Sequence, residues 1–140
     1  MTDWSRVRHF EPAEFGPHWA RISGLLVYTL DDLRSFVASP MVIHAALELE
    51  GHDPQGEHPK GTAVDCSAPA LPLLDFWLAA ERFPAFRGIG LYPHWQRPGL
   101  HLDVRESPIR ARWWRDAAGA YQRIAAGTLF DLMTRHAFMA

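Results

Sequence analysis

The sequence runs to 140 residues and is short of several things, each of which excludes a class of protein. It has one cysteine, Cys66, so no disulfide can form within the chain and the fold must rest on packing. No apolar run approaches the ~18 residues of a membrane span. The opening "MTDWSRVRHFEP" lacks the positive-then-apolar order of a secretory leader. No membrane partner is expected, therefore, and the product is expected to be cytoplasmic as synthesised. Excess positive charge is also missing. A formal net charge of -2 and a pI near 6.4 offer no basic field to displace counterions from a polyanion, so nucleic acid is not an expected partner. Repeats, low-complexity tracts and linkers are absent, and residues 1–140 read as a single domain.

What the chain does contain is core-forming material. Hydrophobic residues make up 48% and charged residues 21%, a globular balance, and six Trp with eight Phe point to a core or cleft built on large rings. The segment "TLDDLRSFVA" predicts a helix opened by a capping box of Thr29 and Asp32. Leu30, Leu33, Phe36 and Val37 lie on one face, and Pro40 stops it. "MVIHAALE" predicts a strand, and Thr62 to Asp65 a short second one. From Ala70, the spacing of Leu73, Leu74, Trp77 and Leu78 predicts an amphipathic helix that ends before Pro84. "GIGLYP" and "GLHLDV" predict an antiparallel hairpin. From "SPIRARWW" onward the prediction is helical, with Pro108 in the first turn and a restart at Thr128 and Asp131 after Gly127. The sum is an α+β fold, a small antiparallel sheet flanked by helices.

One stretch concentrates the chemistry. In "EHPKGTAVDCSAP" a Gly and two Pro exclude a helix, and a tight turn separates His58 from Asp65. Side chains alternate along a strand, so Ala63 and Asp65 share one face, as do His101 and Asp103 on the later strand, opposed by Leu102 and Val104. If the two strands are neighbours, His58, Asp65 and His101 meet around one point with Asp103 close by. Two imidazoles and a carboxylate form a three-ligand set of the catalytic zinc type, which leaves a fourth position for water. The small Ala63 beside a ligand leaves room for metal and substrate. Cys66 is expected on the opposite face as a buried, inert thiol. His94, between Tyr92 and Trp95, is placed to bind an oxyanion or substrate, whereas His9, His18, His44, His52 and His136 show no partner spacing. Trp113 and Trp114 read as core and helix packing, and "RARWWR" as a solvated helix face.

"HPKGTAVD" and "GIGLYPHWQRPGLHLDVR" resemble the His-x-x-Gly-x-Ala-x-Asp and later Gly-x-Gly-x-Tyr … His-x-Asp segments of the D-alanyl-D-alanine carboxypeptidase-like zinc peptidases. That family shares the hedgehog/DD-peptidase fold with bacteriophage endolysins and murein endopeptidases. "RHFEPAEFG" followed by "YTLDDLRSF" resembles its N-terminal element and first helix, so the likeness spans residues 9–115. The resemblance implies a hedgehog/DD-peptidase-like fold and Zn2+ held by His58, Asp65 and His101. It implies a peptidoglycan peptide as substrate, cut next to a D-amino acid and reached after holin-type release or from a virion. In such enzymes the metal polarises the scissile carbonyl and lowers the pKa of its water while a carboxylate acts as general base. The sequence departs from the family at two places. The catalytic Glu that many relatives carry three residues before the last His is Pro98 here, which leaves Asp103 as the expected base, with His94 and Glu57 as alternatives. The Arg of a Ser-Gly-Tyr-Arg segment is missing from "VIHAALELEGH", leaving Lys60, Arg97 or Arg105 to position substrate. These departures favour the alternative of a non-catalytic zinc-binding relative that serves as a wall-binding or structural module.

Overall fold

A computed structural model describes residues 1–51, 53 and 55–125. The chain enters through three short 3-10 turns, Trp4–Arg6, Pro12–Phe15 and Trp19–Arg21, and this region buries Phe10, Phe15 and Ile22. Helix α1 then runs Gly24–Val37. Its N-cap is Ser23, whose hydroxyl accepts the Leu26 N–H, so the helix begins well before the expected capping box. Thr29 is inside the helix, where its hydroxyl donates to the Leu25 carbonyl at 2.6 Å, and Asp32 pairs with Arg8. The helix ends at Ala38, which adopts φ 50 just before Pro40. Leu30 and Leu33 are buried as expected, while Phe36 is exposed beside Phe83.

Among the described residues six strands form one sheet: β1 Val42–Ala45, β2 Ala63–Ser67, β3 Gly88–Tyr92, β4 Gly99–Asp103, β5 Ala111–Arg115 and β6 Tyr121–Arg123, in the order β1-β2-β4-β3-β5-β6. The β3–β4 hairpin is antiparallel, as expected. The sheet as a whole is mixed rather than antiparallel, because β5 lies parallel to β3. The segment expected to continue as a helix is instead β5 and β6. Its side chains alternate: Trp114 packs on the core while Trp113 turns to the other face, a period of two that two adjacent Trp hide from a helical count. The restart at Thr128 and Asp131 lies outside the described residues.

Helix α2, Leu73–Glu81, completes the core with α1 against one face of the sheet. Val64, Cys66, Ile89, Leu91, Leu100 and Leu102 from the three central strands meet Leu26, Leu30, Phe76 and Trp77 there. Each fully buried Leu or Ile contributes about 1.5–3 kcal/mol, so this face fixes the strand registers. Glu81 at the end of α2 accepts from Arg110 and Arg112 at 2.6–2.8 Å, which makes "RARWWR" a strand tied to a helix and not a solvated helix face. Among the described residues no helix is long and apolar enough to cross a membrane.

Candidate metal centre

Pairing of β2 with β4 sets Asp65 directly opposite His101 on the face away from the core. His58 comes from the turn before β2, whose backbone closes through Gly61 N–H to the His58 carbonyl and Thr62 N–H to the Glu57 carbonyl. The Gly61 carbonyl accepts the Ser23 N–H at 2.8 Å and ties this turn to the start of α1. His58 Nε2 lies 3.2 Å from Asp65 Oδ1 and His101 Nδ1 3.4 Å from the same oxygen. One ligand atom from each residue falls within 4.8 Å of the others.

The outward nitrogens of both rings are already committed. His58 Nδ1–H donates to the Ala46 carbonyl at 2.8 Å, and His101 Nε2–H donates to Asp103 Oδ2 at 2.7 Å. Asp103 also accepts from Arg105 Nε, Nη2 and backbone N–H at 2.8, 2.6 and 3.2 Å. A carbonyl and an arginine-bound carboxylate can only accept, so in the neutral imidazoles the inward nitrogens carry lone pairs. Three acceptors therefore converge with no proton of their own between them, an arrangement that a cation relieves. Without metal, protons take that place. Burial pulls the His101 pKa down, but its hydrogen bonds to Asp103 and Asp65 outweigh this and raise it. Burial likewise opposes ionisation of Asp65, yet the bonds from His101 and His58 bring it down to about 2. Asp103 is held low against its burial by Arg105 and His101. Imidazoles anchored on one nitrogen by an acceptor and turned with the other toward a shared carboxylate oxygen are oriented for a metal, and the donor set fits one.

The motif glycines explain how the sheet makes room. Asp65, His101, Gly90 and Trp113 form one row across four strands. The Trp113 indole lies over Gly90, where an added Cβ would come within 2.5 Å of the ring, and stands 5.1 Å from the His101 ring. Its Nε1–H donates to the Tyr92 hydroxyl at 3.0 Å. In the next row, Ala63, Asp103, Gly88 and Ala111, a Cβ on Gly88 would strike the Asp103 carboxylate. Gly-x-Gly thus admits one wall of the site and the anchor of one imidazole. Trp113, expected in the core, belongs to the site face.

A cleft of about 550 Å³ opens in front of Asp65, lined also by His44, Trp95, Gln96 and Arg97. Beyond Gln96 and Arg97 a second cavity of about 620 Å³ reaches Leu71, Leu73 and Phe76. His94 is exposed and lines a separate cavity of about 200 Å³ with Trp95 and Asp116. Asp103 has no solvent exposure. Glu57 is held by Lys60 and Thr62, and Arg105 by Asp103, so of the cations considered for substrate Arg97 is the one in the cleft. Cys66 is on the core face, where burial pushes its thiol pKa well up and leaves it inert. His52 and His136 lie outside the described residues. The residue that spacing did not single out is His44. It lies two residues after Val42, which pairs with Ser67, so alternation puts it on the site face 2.7 Å from Ser67, next to an irregularity in β1 between Ile43 and Ala45.

Comparison with protein-family models, curated proteins and solved structures finds no match to this chain.

Proposed function

We propose that the protein is a zinc-dependent peptidase that hydrolyses peptide bonds of bacterial peptidoglycan. The observation that carries this is the convergence of His58 Nε2, Asp65 Oδ1 and His101 Nδ1 with both outer ring nitrogens committed to acceptors. Two imidazoles and one carboxylate suit zinc, and three protein ligands leave a coordination position open, as hydrolytic sites require. When bound, zinc would supply a Lewis acid and a water of lowered pKa. The chain's own part is positional. Asp103 fixes the His101 ring, Trp113 walls it on the β5 side, and Arg97 offers a cation to a substrate lying in the cleft. Both Asp103 oxygens are engaged, so we assign this residue to orienting His101. The choice of peptidoglycan is supported by the two motif segments, and action on the wall would follow holin-type release or carriage by a virion. A zinc-binding module without hydrolysis is the second reading, favoured by Pro98 where relatives carry Glu.

The test is to load the protein and its His101→Ala variant with zinc, measure metal by elemental analysis, and incubate both with purified murein sacculi. About one equivalent of zinc in the wild type is expected, with far less in the variant. New amino and carboxyl ends, read by mass spectrometry, should appear with the wild type alone. Full zinc occupancy with no cleavage of any wall chemotype would end the peptidase reading in favour of the binding module.

A further inference from the structure

We propose that His44 Nδ1 is the proton acceptor for the attacking water in this cleft; the inference rests on the peptidase reading. The carboxylates that might have served are otherwise engaged. Pro98 stands where relatives carry the base, Asp103 is sealed between His101 and Arg105, and Glu57 is held by Lys60 and Thr62. His94 opens onto a different cavity. Of the described residues lining the cleft, only His44 can take up a proton near neutral pH; the other carboxyl or imidazole there, Asp65, is held low and is one of the three candidate ligands.

Strand alternation delivers His44 to the site. Val42 pairs with Ser67 and Ile43 with Cys66, so His44, two residues after Val42, shares the face that carries Asp65 and Ser67. One extra residue enters β1 here, and Ala45 rather than His44 stands opposite Asp65. Ser67 anchors the ring through Nε2, which lies 2.7 Å from its hydroxyl, and the same hydroxyl lies 3.4 Å from the Arg97 carbonyl. We assign the hydroxyl proton to that carbonyl, so that His44 Nε2–H donates to Ser67. Nδ1 is left with its lone pair and no partner among the described residues. The charged groups facing the ring are Arg97 from the β3–β4 turn and Asp65 from β2. Burial and then Arg97 lower the His44 pKa, against a smaller opposing effect of Asp65, so the ring is neutral at pH 7.

The step balances without another reactant. Nδ1 takes a proton from water as the water oxygen bonds to the scissile carbonyl carbon. It returns that proton to the leaving nitrogen as the carbon–nitrogen bond breaks.

Zinc-loaded wild type, His44→Ala and His44→Gln decide the matter on murein sacculi. Gln keeps an N–H for Ser67 but has no basic nitrogen, and His44 is exposed, so both variants should fold. Expected are zinc contents equal to wild type and release of amino groups slower by about 10²-fold or more. Added imidazole should restore part of the rate to His44→Ala, which a merely structural role would not allow. Long-range nitrogen–proton spectra of the wild-type ring at pH 7 should show a protonated Nε2 and a bare Nδ1. A protonated Nδ1 in that spectrum, loss of zinc in either variant, or cleavage by His44→Ala within about threefold of an active wild type would each overturn the role. A zinc-loaded wild type that cleaves nothing would remove the peptidase reading and this role together, an outcome distinct from an active His44→Ala.

Discussion

Replacing Asp103 by Asn alters the chemistry of one group and almost none of its volume, at a position with no solvent exposure. The native carboxylate receives three side-chain donors: His101 Nε2–H at 2.7 Å, Arg105 Nε–H at 2.8 Å and Arg105 Nη2–H at 2.6 Å. An amide offers one accepting oxygen and turns its NH2 toward donors, so at least one bond is lost and another opposed. Charge-assisted bonds contribute about 1.5–3 kcal/mol each. The Arg105 side chain is 32% exposed, and water recovers part of that loss. The expected net cost to the zinc-free fold is about 1–2 kcal/mol, read as a lower urea midpoint. The metal should feel the change separately. Loss of a carboxylate behind a ligating imidazole typically weakens metal affinity by about 10–100-fold. That is about 1.4–2.7 kcal/mol, measurable by zinc competition against a chromogenic chelator. An unchanged urea midpoint with zinc affinity within about twofold of wild type would refute the claim that Asp103 orients His101. Unchanged zinc affinity with hydrolysis abolished would instead make Asp103 the base.

Gly88→Ala should reach the same carboxylate from the neighbouring strand, since its Cβ meets Asp103. A stability loss of about 1–3 kcal/mol with weakened zinc binding is expected in thermal melts and chelator titration, and wild-type behaviour in both would refute the packing. In the zinc-free protein His101 has a raised pKa, so its contribution is full below 6.5 and lost as pH rises through its folded-state value. Asp65 contributes above 3.8 and loses its effect as pH falls through about 2. Urea midpoints of the metal-free protein should therefore decline on raising pH past neutrality, and zinc uptake at pH 6 should release protons, seen by calorimetry in buffers of different ionisation enthalpy. A midpoint that does not fall on that side, with no proton release, would contradict the three-acceptor description. Glu81→Gln removes the charge that joins α2 to Arg110 and Arg112 and should lower the thermal midpoint by the equivalent of about 1–3 kcal/mol while leaving zinc affinity intact. An unaltered midpoint would show that the clamp contributes nothing.

How much of this was legible depended on whether the information is local. The β3–β4 hairpin could be read because Gly, Pro and strict alternation mark it residue by residue, and the grouping of His58, Asp65 and His101 followed once two strands were placed side by side. Helix α1 was misplaced because Thr29 and Asp32 imitate a cap, whereas the cap in use is Ser23, ahead of an apolar Leu25–Val27 start. Strand β5 reads locally as a helix because its pairing with β3 is made across the fold, and Pro108 with a run of Arg looks helical in isolation. His44 escapes local spacing for a related reason: its importance comes from the pairing of β1 with β2 and from a contact 23 residues away, neither of which local spacing shows. The roles of Gly88 and Gly90 depend on what the neighbouring strands place above them.

The three donors differ in how firmly they are mounted. Asp65 and His101 face each other across the β2–β4 ladder inside the sheet, whereas His58 rides on a turn held by a few backbone bonds. Interior ladders part only with large-scale unfolding, while a turn outside the sheet, even one anchored at Ala46 and Ser23, opens for less free energy. On the proposed metal-site reading, capture would have an order: an incoming ion would meet the Asp65–His101 pair first, and closing of the His58 turn would set how long it stays. Changes at Pro59 or Gly61 would shorten that residence time while leaving the strand-borne half of the site ready for the next ion.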